Sequence, residues 1–417
     1  MQLKQFNTRL LSFLDAAVTP FHATMQIKQI LQKEGFSELN ERDSWSLEAG
    51  VKYFVTRNDS SIIAFTYPHK HEGYLMMGAH TDSPNLKLKP SPIIEKSGLT
   101  QFGVEPYGGL LMNPWFDRDL SLAGRVSFSN KEGDICEEYI NFKEPIAIIP
   151  SLAIHLDKEA NKNRTINAQK DIVPVFTCKK DVDLQTLLFS QLQDQSAKRL
   201  LSHELSFYDT QKASYVGLEK EFIASARLDN LLSCYVATQV MCSANDNNAY
   251  LMVCSDHEEV GSESTSGAAG SFLETILKRI SSDFESYSRL ISSSSLVSCD
   301  NAHAVHPNFS DKHDANHAPK INEGVVVKIN ANQRYASSSR GVSKFVHAAS
   351  MLDEPTQEFV TRSDLGCGST IGPITATRLG IETLDVGLPT FAMHSIRELA
   401  GSRDAFSLYK ILLRLKN

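Results

Sequence analysis

Two adjacent carboxylates, Glu258 and Glu259, stand in the stretch Ser-Asp-His-Glu-Glu-Val-Gly-Ser at 255–262, directly after the apolar run Ala-Tyr-Leu-Met-Val-Cys at 249–254. The run reads as a buried parallel strand. The pair therefore sits at a strand's carboxyl end, the edge at which open α/β sheets bind ligands. Gly261 permits the tight turn that brings backbone close to a bound group. Neighbouring carboxylates on such a turn point in different directions. One can bind a metal while the other handles a proton, the division of labour of a metallohydrolase. The competing structural reading is a solvated acidic turn ahead of a helix, where Glu favours the positive end of the dipole. The pair alone does not decide between them.

Other residues repeat the placement. His80 follows the apolar run Gly-Tyr-Leu-Met-Met-Gly-Ala at 73–79, and Asp82 lies two residues on. An imidazole can ligate a metal while a nearby carboxylate accepts its second ring N–H and fixes the tautomer. As an isolated motif, His-x-Asp is weak. Asp229, in Arg-Leu-Asp-Asn at 227–230, precedes a helical pattern, where an N-cap is the structural alternative. Asp300 ends the strand expected at 295–299, and His394 follows the strand expected at 381–386. His303, His306, His313 and His317 exceed what a metal site needs, so most of them are expected to be structural. Three carboxylates, two imidazoles and a hydroxide carry about −4, which suits two divalent ions.

The elements that must position these side chains alternate between strand and helix. Thr19 and Pro20 start a helix that Gly35 ends, and hairpin strands are expected at 52–56 and 61–67 around Asn58-Asp59. From 85 to 218 glycines punctuate short runs, the mark of a β-rich second domain. Within it, His155 lies in an apolar stretch at 144–156, where a buried core histidine is the structural reading. Leu184, Leu187, Leu188 and Leu192 predict a surface helix in the polar segment 179–205. The α/β pattern then returns, with helices opening at 227 and running through 273–280, a serine-rich connection to 295, a strand at 324–329 and a helix at 342–352. Lys328 interrupts that strand, either as an edge-strand gatekeeper or as a buried positive charge. Glycines at 366–372 could cradle a phosphate, but no Gly-Lys-Thr follows them.

Composition bounds the remaining classes. At 417 residues two domains are expected, and a net charge of −7 argues against nucleic-acid binding. Seven cysteines without a C-x-x-C pair suit reduced interiors rather than a zinc ribbon. Residues 1–6 carry no apolar leader and no run of about 18 apolar residues occurs, so a cytoplasmic location with no membrane contact is expected.

Taken together, Gly-Ala-His-Thr-Asp-Ser-Pro at 78–84, Arg-Leu-Asp-Asn at 227–230, Asp-His-Glu-Glu-Val-Gly-Ser at 256–262, Asp-Asn-Ala-His-Ala-Val-His-Pro-Asn at 300–308 and Met-His-Ser-Ile-Arg-Glu at 393–398 resemble the aspartyl aminopeptidases, in family order over nearly the whole chain. The resemblance implies an α/β fold, a mixed sheet flanked by helices carrying a dizinc site, with 1–84 and 219–417 forming the catalytic domain and 85–218 an inserted β-rich dimerisation domain. It implies two zinc ions on His80, Asp229, Glu259, Asp300 and His394, with Asp229 bridging, Glu258 as base and Asp82 as its orienting partner. It implies a cis peptide between Asp229 and Asn230. It further implies that His155 acts in a neighbouring subunit's site, that Lys328 and Tyr335 contact an acidic substrate side chain, and that the chain assembles into a dodecamer built from dimers. The expected activity is release of N-terminal Asp or Glu from peptides. A related dizinc deacylase or carboxypeptidase, a non-catalytic assembly or cargo protein on the same fold, and a nucleotide-binding module at 366–372 are the alternatives.

Overall fold

A computed structural model of the chain describes residues 1–70, 72–245 and 248–416, without the side chain of residue 416. It divides into two compact units: Met1–Asp82 with Ala213–Met393 and Glu398–Asn417, and Ser83–Lys212 with His394–Arg397.

The first unit is built on a nine-stranded mixed sheet. In spatial order its strands are Ser37–Glu38, Val51–Arg57, Ser61–Tyr67, Tyr250–Ser255, Leu75–His80, Ser295–Cys299, Glu382–Gly387, Val325–Ile329 and Thr356–Val360. The central strands Tyr250–Ser255, Leu75–His80, Ser295–Cys299 and Glu382–Gly387 run parallel, with Ser255 level with His80. Their carboxyl ends therefore open on one edge. Residues of these strands alternate between two faces, as a period of two requires. Leu75, Met77 and Ala79 join a core with the helices Leu3–Ala16, Pro20–Lys33, Leu228–Ser243, Ser339–Ser350 and Asp404–Lys416. Met76, Val253 and Leu296 join a second core on the opposite face with Phe272, Ile276, Leu290 and Ile291 of the helices Phe272–Arg279 and Phe284–Ser293. The result is a three-layer α/β arrangement. Leu228–Ser243 is buried on every side from Leu228 to Met241 because it packs on the sheet and on other helices at once. A smaller five-stranded sheet joins Ser214–Val216, Phe222–Ser225, Glu398–Gly401, Pro389–Phe391 and Ala302–His303.

The second unit holds a six-stranded antiparallel sheet, ordered Ile135–Asn141, Leu120–Asn130, Ala197–Asp209, Asn85–Lys96, Leu99–Tyr107 and Val175–Thr177. Leu86 and Leu88, Leu122, Val126 and Phe128, and Leu205 and Phe207 supply its core from alternate positions.

Several sequence expectations shift. The segment expected to be helical at 179–205 is helical only over Leu184–Phe189, and residues from Ala197 onward form a thirteen-residue strand paired along its length with Leu120–Asn130. Its leucines at 188 and 192 are buried, so their spacing reported a core contact rather than a surface helix. The serine-rich connection contains the helix Phe284–Ser293, started by the Asp283 carboxylate accepting from the Ser286 N–H at 2.7 Å. The second unit's main segment ends at Lys212 rather than at 218, because Ser214–Val216 pairs with Phe222–Ser225 of the first unit. Among helices of the described residues, none is long and apolar enough to cross a membrane.

Candidate active site

The parallel strands deliver their chemistry at one edge of the first unit. His80 is the last residue of Leu75–His80, the Glu258–Val260 turn follows Tyr250–Ser255, and Asp300 follows Ser295–Cys299. The turn is a single 3-10 loop bounded by His257 at φ 62° and Gly261 at φ 97°, both left-handed. Glycine meets that demand without strain. At Gly387, beside the end of the Asp300 strand, an added Cβ would lie 2.3 Å from the Asp300 carbonyl oxygen, so glycine is also required for the close approach.

His80 organises the cluster. Its Nδ1 lies 3.0 Å from the Asp82 backbone oxygen and 3.4 Å from the Asp82 carboxylate, which leaves Nε2 facing the cluster. Nε2 lies 3.5 Å from Asp229 Oδ1, 3.5 Å from Asp300 Oδ1 and 3.9 Å from Glu258 Oε2. The fully buried Asp82 carboxylate also accepts from the Glu258 and Glu259 N–H groups, each at 3.1 Å. One carboxylate thus fixes both the imidazole and the two-glutamate turn. Asp229 lies within the first turn of Leu228–Ser243 but has non-helical φ and ψ, and the Asp229–Asn230 peptide is cis, as the resemblance implies. The N-cap position belongs to Arg227, so the capping reading of Asp229 gives way.

Two residues that support Asp229 escaped the sequence reading. The buried Glu398 accepts from the Asp229 N–H through Oε2 at 2.9 Å, and Asn230 donates from Nδ2 to the Cys299 carbonyl at 2.8 Å. Both stand inside quoted motifs; an acidic side chain directly ahead of the short apolar run Leu399-Ala400 was the available signal for Glu398.

The electrostatics follow from crowding. Burial works against a charged His80, but the Asp229, Asp300 and Asp82 carboxylates outweigh it and hold the imidazole well above its ordinary pKa. Burial pushes Glu258 up to about 7, with His80 opposing and Asp300, Asp229 and Asp82 adding to the rise. Glu259 is raised by burial and by Asp229. These shifts express one shortage, that of positive charge among buried acids.

The donor chemistry fits divalent metal. His80, Asp229 and Asp300 offer ligand atoms within 4.8 Å of one another, and so do His80, Glu258 and Glu259. Imidazole with carboxylate oxygens is a set that zinc accepts, and a cation would supply the missing charge.

Lys328 corrects one of the two readings offered for it. Its strand lies between Glu382–Gly387 and Thr356–Val360, not at the sheet's edge, and the side chain is 2% exposed. Nζ lies 3.3 Å from Asp300 Oδ2 and 3.0 Å from the Asn301 carbonyl, with the buried Tyr335 ring centred 5.2 Å away. It is no gatekeeper.

His394 and His155 belong to the second unit. His394 has a φ of 67°, its Nδ1 lies 3.1 Å from the Gly109 carbonyl, and its own carbonyl accepts from the Leu111 N–H. His155 is exposed in a turn, not buried in a core. The apolar run around it forms no strand, so Leu152, Ile154 and Leu156 are exposed beside it. Of the supernumerary histidines, His313 lies 3.3 Å from the His303 carbonyl through Nε2, and His317 pairs with Asp314 at 2.6 Å. Among the described residues, none of His303, His306, His313 and His317 belongs to a metal-competent group.

Comparison with known proteins gives the family. The family model described as aminopeptidase I zinc metalloprotease (M18) matches residues 13–414. A protein of Stutzerimonas stutzeri (strain A1501) named "Probable M18 family aminopeptidase 2" is 52% identical over 417 residues, 98% of this chain and 97% of that protein. Among solved structures, a chain from the cryo-EM structure of the Ape4 and Nbr1 complex superposes with a TM-score of 0.94 at 37% identity, over 99% of this chain and 86% of its own. The S. cerevisiae mApe1 dodecamer gives a TM-score of 0.84 at 26% identity, over 98% of this chain and 95% of its own. An aminopeptidase family matched over residues 13–414 separates the chain from the deacylase, carboxypeptidase and nucleotide-binding alternatives. The chain belongs to the M18 family of zinc metallo-aminopeptidases.

Proposed function

We propose that this protein is a two-metal aminopeptidase that removes Asp or Glu from the free amino termini of peptides. The observation that carries the acidic preference is Lys328, a lysine buried on an interior strand, placed against Asp300 and under the Tyr335 ring. A lysine is rarely buried without a task, and a carboxylate entering a closed pocket needs such a partner.

In this reading His80, Asp229, Glu259, Asp300 and His394 would hold two zinc ions. When bound, the ions supply a polarised scissile carbonyl and a water of lowered pKa. The chain's own groups do the rest. Glu258 accepts the water's proton at its carboxylate and returns it to the departing amine. Asp82 keeps His80 in one tautomer and keeps the Glu258 and Glu259 backbone in place. Lys328 and Tyr335 receive the acidic side chain. His155 of a neighbouring copy donates a hydrogen bond to the oxygen on which charge develops. That role fits an exposed histidine among exposed Leu152, Ile154 and Leu156, a surface suited to burial between copies. The Ser83–Lys212 unit serves dimerisation, dimers build a dodecamer, and the enzyme works on peptides in the cytoplasm without nucleic-acid or membrane partners.

The test is a panel of peptides that begin with Asp, Glu, Ala or Leu, each with free and acetylated amino termini, assayed with and without a chelator. Preferential release of Asp and Glu from free termini, lost on chelation and restored by zinc, is expected. Equal turnover of Leu and Asp peptides would remove the acidic preference, and cleavage of acetylated peptides would remove the exopeptidase assignment.

A further inference from the structure

Asp385 lies fully buried in the middle of the central strand Glu382–Gly387, where a carboxylate is costly unless every lone pair is used. It stands level with Ser298, two residues before Asp300 on the adjoining strand. Its Oδ2 accepts from the Ala336 N–H at 2.6 Å and its Oδ1 from the Thr370 hydroxyl at 2.6 Å. Ser337 adds a backbone clamp on the same residue, its hydroxyl accepting from the Asp385 N–H at 3.0 Å.

Two of these bonds act on the segment after Tyr335, at Ala336 and Ser337, and the Thr370 segment joins the residue before Tyr335 through the Ser369 hydroxyl, which donates to the Arg334 carbonyl at 3.3 Å. Ala336 directly follows Tyr335, so the bond to its N–H fixes the backbone from which the tyrosine ring projects. Thr370 is the N-cap of Ile371–Leu379, and its hydroxyl accepts from the Gly372 N–H at 3.3 Å. Antiparallel pairing of Val326 with Gly387 and Val327 with Val386 ends one residue short of Lys328 and Asp385, and the lysine's charge counters the effect of burial on that carboxyl. The surrounding chain is shaped to the carboxylate. A Cβ added at Gly372 would fall 2.3 Å from Asp385 Oδ1 and 2.5 Å from Oδ2. Glycine there is what leaves the carboxylate room to reach both donors.

We propose that Asp385 is the positioning residue of the acidic-residue pocket, its hydrogen bonds to Ala336 and Thr370 holding Tyr335 in register with Lys328. The inference rests on the reading of Lys328 and Tyr335 given above. Asp385 touches no substrate and acts through the backbone it holds.

The experiment compares Asp385→Ala, Gly372→Ala and Asp385→Asn with wild type and with Lys328→Met, measuring kcat and KM on Asp- and Ala-initiated peptides, zinc content and circular dichroism. Gly372→Ala displaces the carboxylate without removing it. Asp385→Asn keeps both bonds, with its oxygen toward Ala336 and its amide toward the Thr370 hydroxyl, which can accept as well as donate. Displacement by about an ångström costs on the order of a hundredfold in a positioned site. Asp385→Ala and Gly372→Ala should therefore raise KM for Asp peptides by about ten- to a hundredfold, with a much smaller effect on Ala peptides and normal zinc content, and Asp385→Asn should stay within about threefold of wild type. An unchanged Asp-to-Ala ratio in a folded, zinc-loaded Gly372→Ala enzyme overturns the proposal. So does an Asp385→Asn enzyme as impaired as Asp385→Ala, or failure of both Asp385→Ala and Gly372→Ala to fold, which would make Asp385 a support of the whole fold. If Lys328→Met abolishes the acidic preference while the Asp385 and Gly372 variants keep it, this inference fails alone. If wild type has no acidic preference, the pocket assignment fails with it.

Discussion

Replacing Lys328 with Met removes a charge while keeping an unbranched chain in its place. The wild-type ammonium lies 3.3 Å from Asp300 Oδ2 and 3.0 Å from the Asn301 carbonyl, buried on an interior strand. An acidic substrate side chain that enters the variant meets no counter-charge. Leaving one member of a buried charge pair alone costs about 3 to 5 kcal/mol, and at about 1.4 kcal/mol per tenfold this is a loss of roughly two to three orders of magnitude in kcat/KM. Ala and Leu peptides bring no carboxylate and should lose far less. The geometry adds a second consequence, because Lys328 also contacts Asp300. His80 Nε2 remains 3.5 Å from the other Asp300 oxygen, so Asp300 keeps one partner, and zinc content should stay near wild type. The assay is steady-state kinetics on paired Asp and Ala peptides with zinc measured in the same samples. An equal fall for both peptides would refute the reasoning. Lys328 would then serve Asp300 alone, and the acidic pocket would lie elsewhere.

Three further outcomes are expected. Glu258→Gln should retain its metal by elemental analysis yet lose about two to four orders of magnitude in kcat, since the amide fills the same space but cannot accept the water's proton. His155→Ala mixed with a zinc-ligand variant should regain activity through hybrid assemblies if His155 acts across subunits; no recovery despite proven subunit exchange would exclude that role. Burial and the nearby Arg227 lower the His22 pKa to about 4, against 6.5 in an unfolded chain. The fold holds this imidazole neutral, so its contribution is fully present above pH 6.5 and is lost as pH falls toward 4, a destabilisation of about 3 kcal/mol over that window. Urea unfolding of wild type and His22→Gln at pH 7 and pH 4.5 should show the extra acid sensitivity only in wild type.

Much of the candidate site was legible because strands that end in acid or imidazole are unusual, and His80, Glu258, Glu259 and Asp300 each end or follow a run whose burial the structure bears out. Lys328 was flagged by the same logic, a charge where an apolar residue belongs. Asp385 carried that signal too, inside Glu382–Gly387, but its meaning lies in the Ala336 and Thr370 groups that it holds, which sequence spacing cannot bring together. Glu398 was obscured for a similar reason, since its partner, the Asp229 N–H, is 169 positions away. The misread segment at 179–205 failed where local periodicity met tertiary pairing: leucines at helical spacing run directly into residues that the Leu120–Asn130 strand recruits as a partner. His155 was misplaced because apolar neighbours were taken for a core, whereas they lie on the surface of their own chain.

The acidic preference is tested most directly by kcat/KM for two peptides that differ only in an N-terminal Asp or Asn, measured on the zinc-loaded wild-type enzyme. The two side chains are nearly isosteric, so the ratio isolates the charge that Lys328 is placed to meet. The account predicts that the Asp peptide is favoured by about a hundredfold or more, as a buried charge partner implies. Equal values for the two peptides would contradict it.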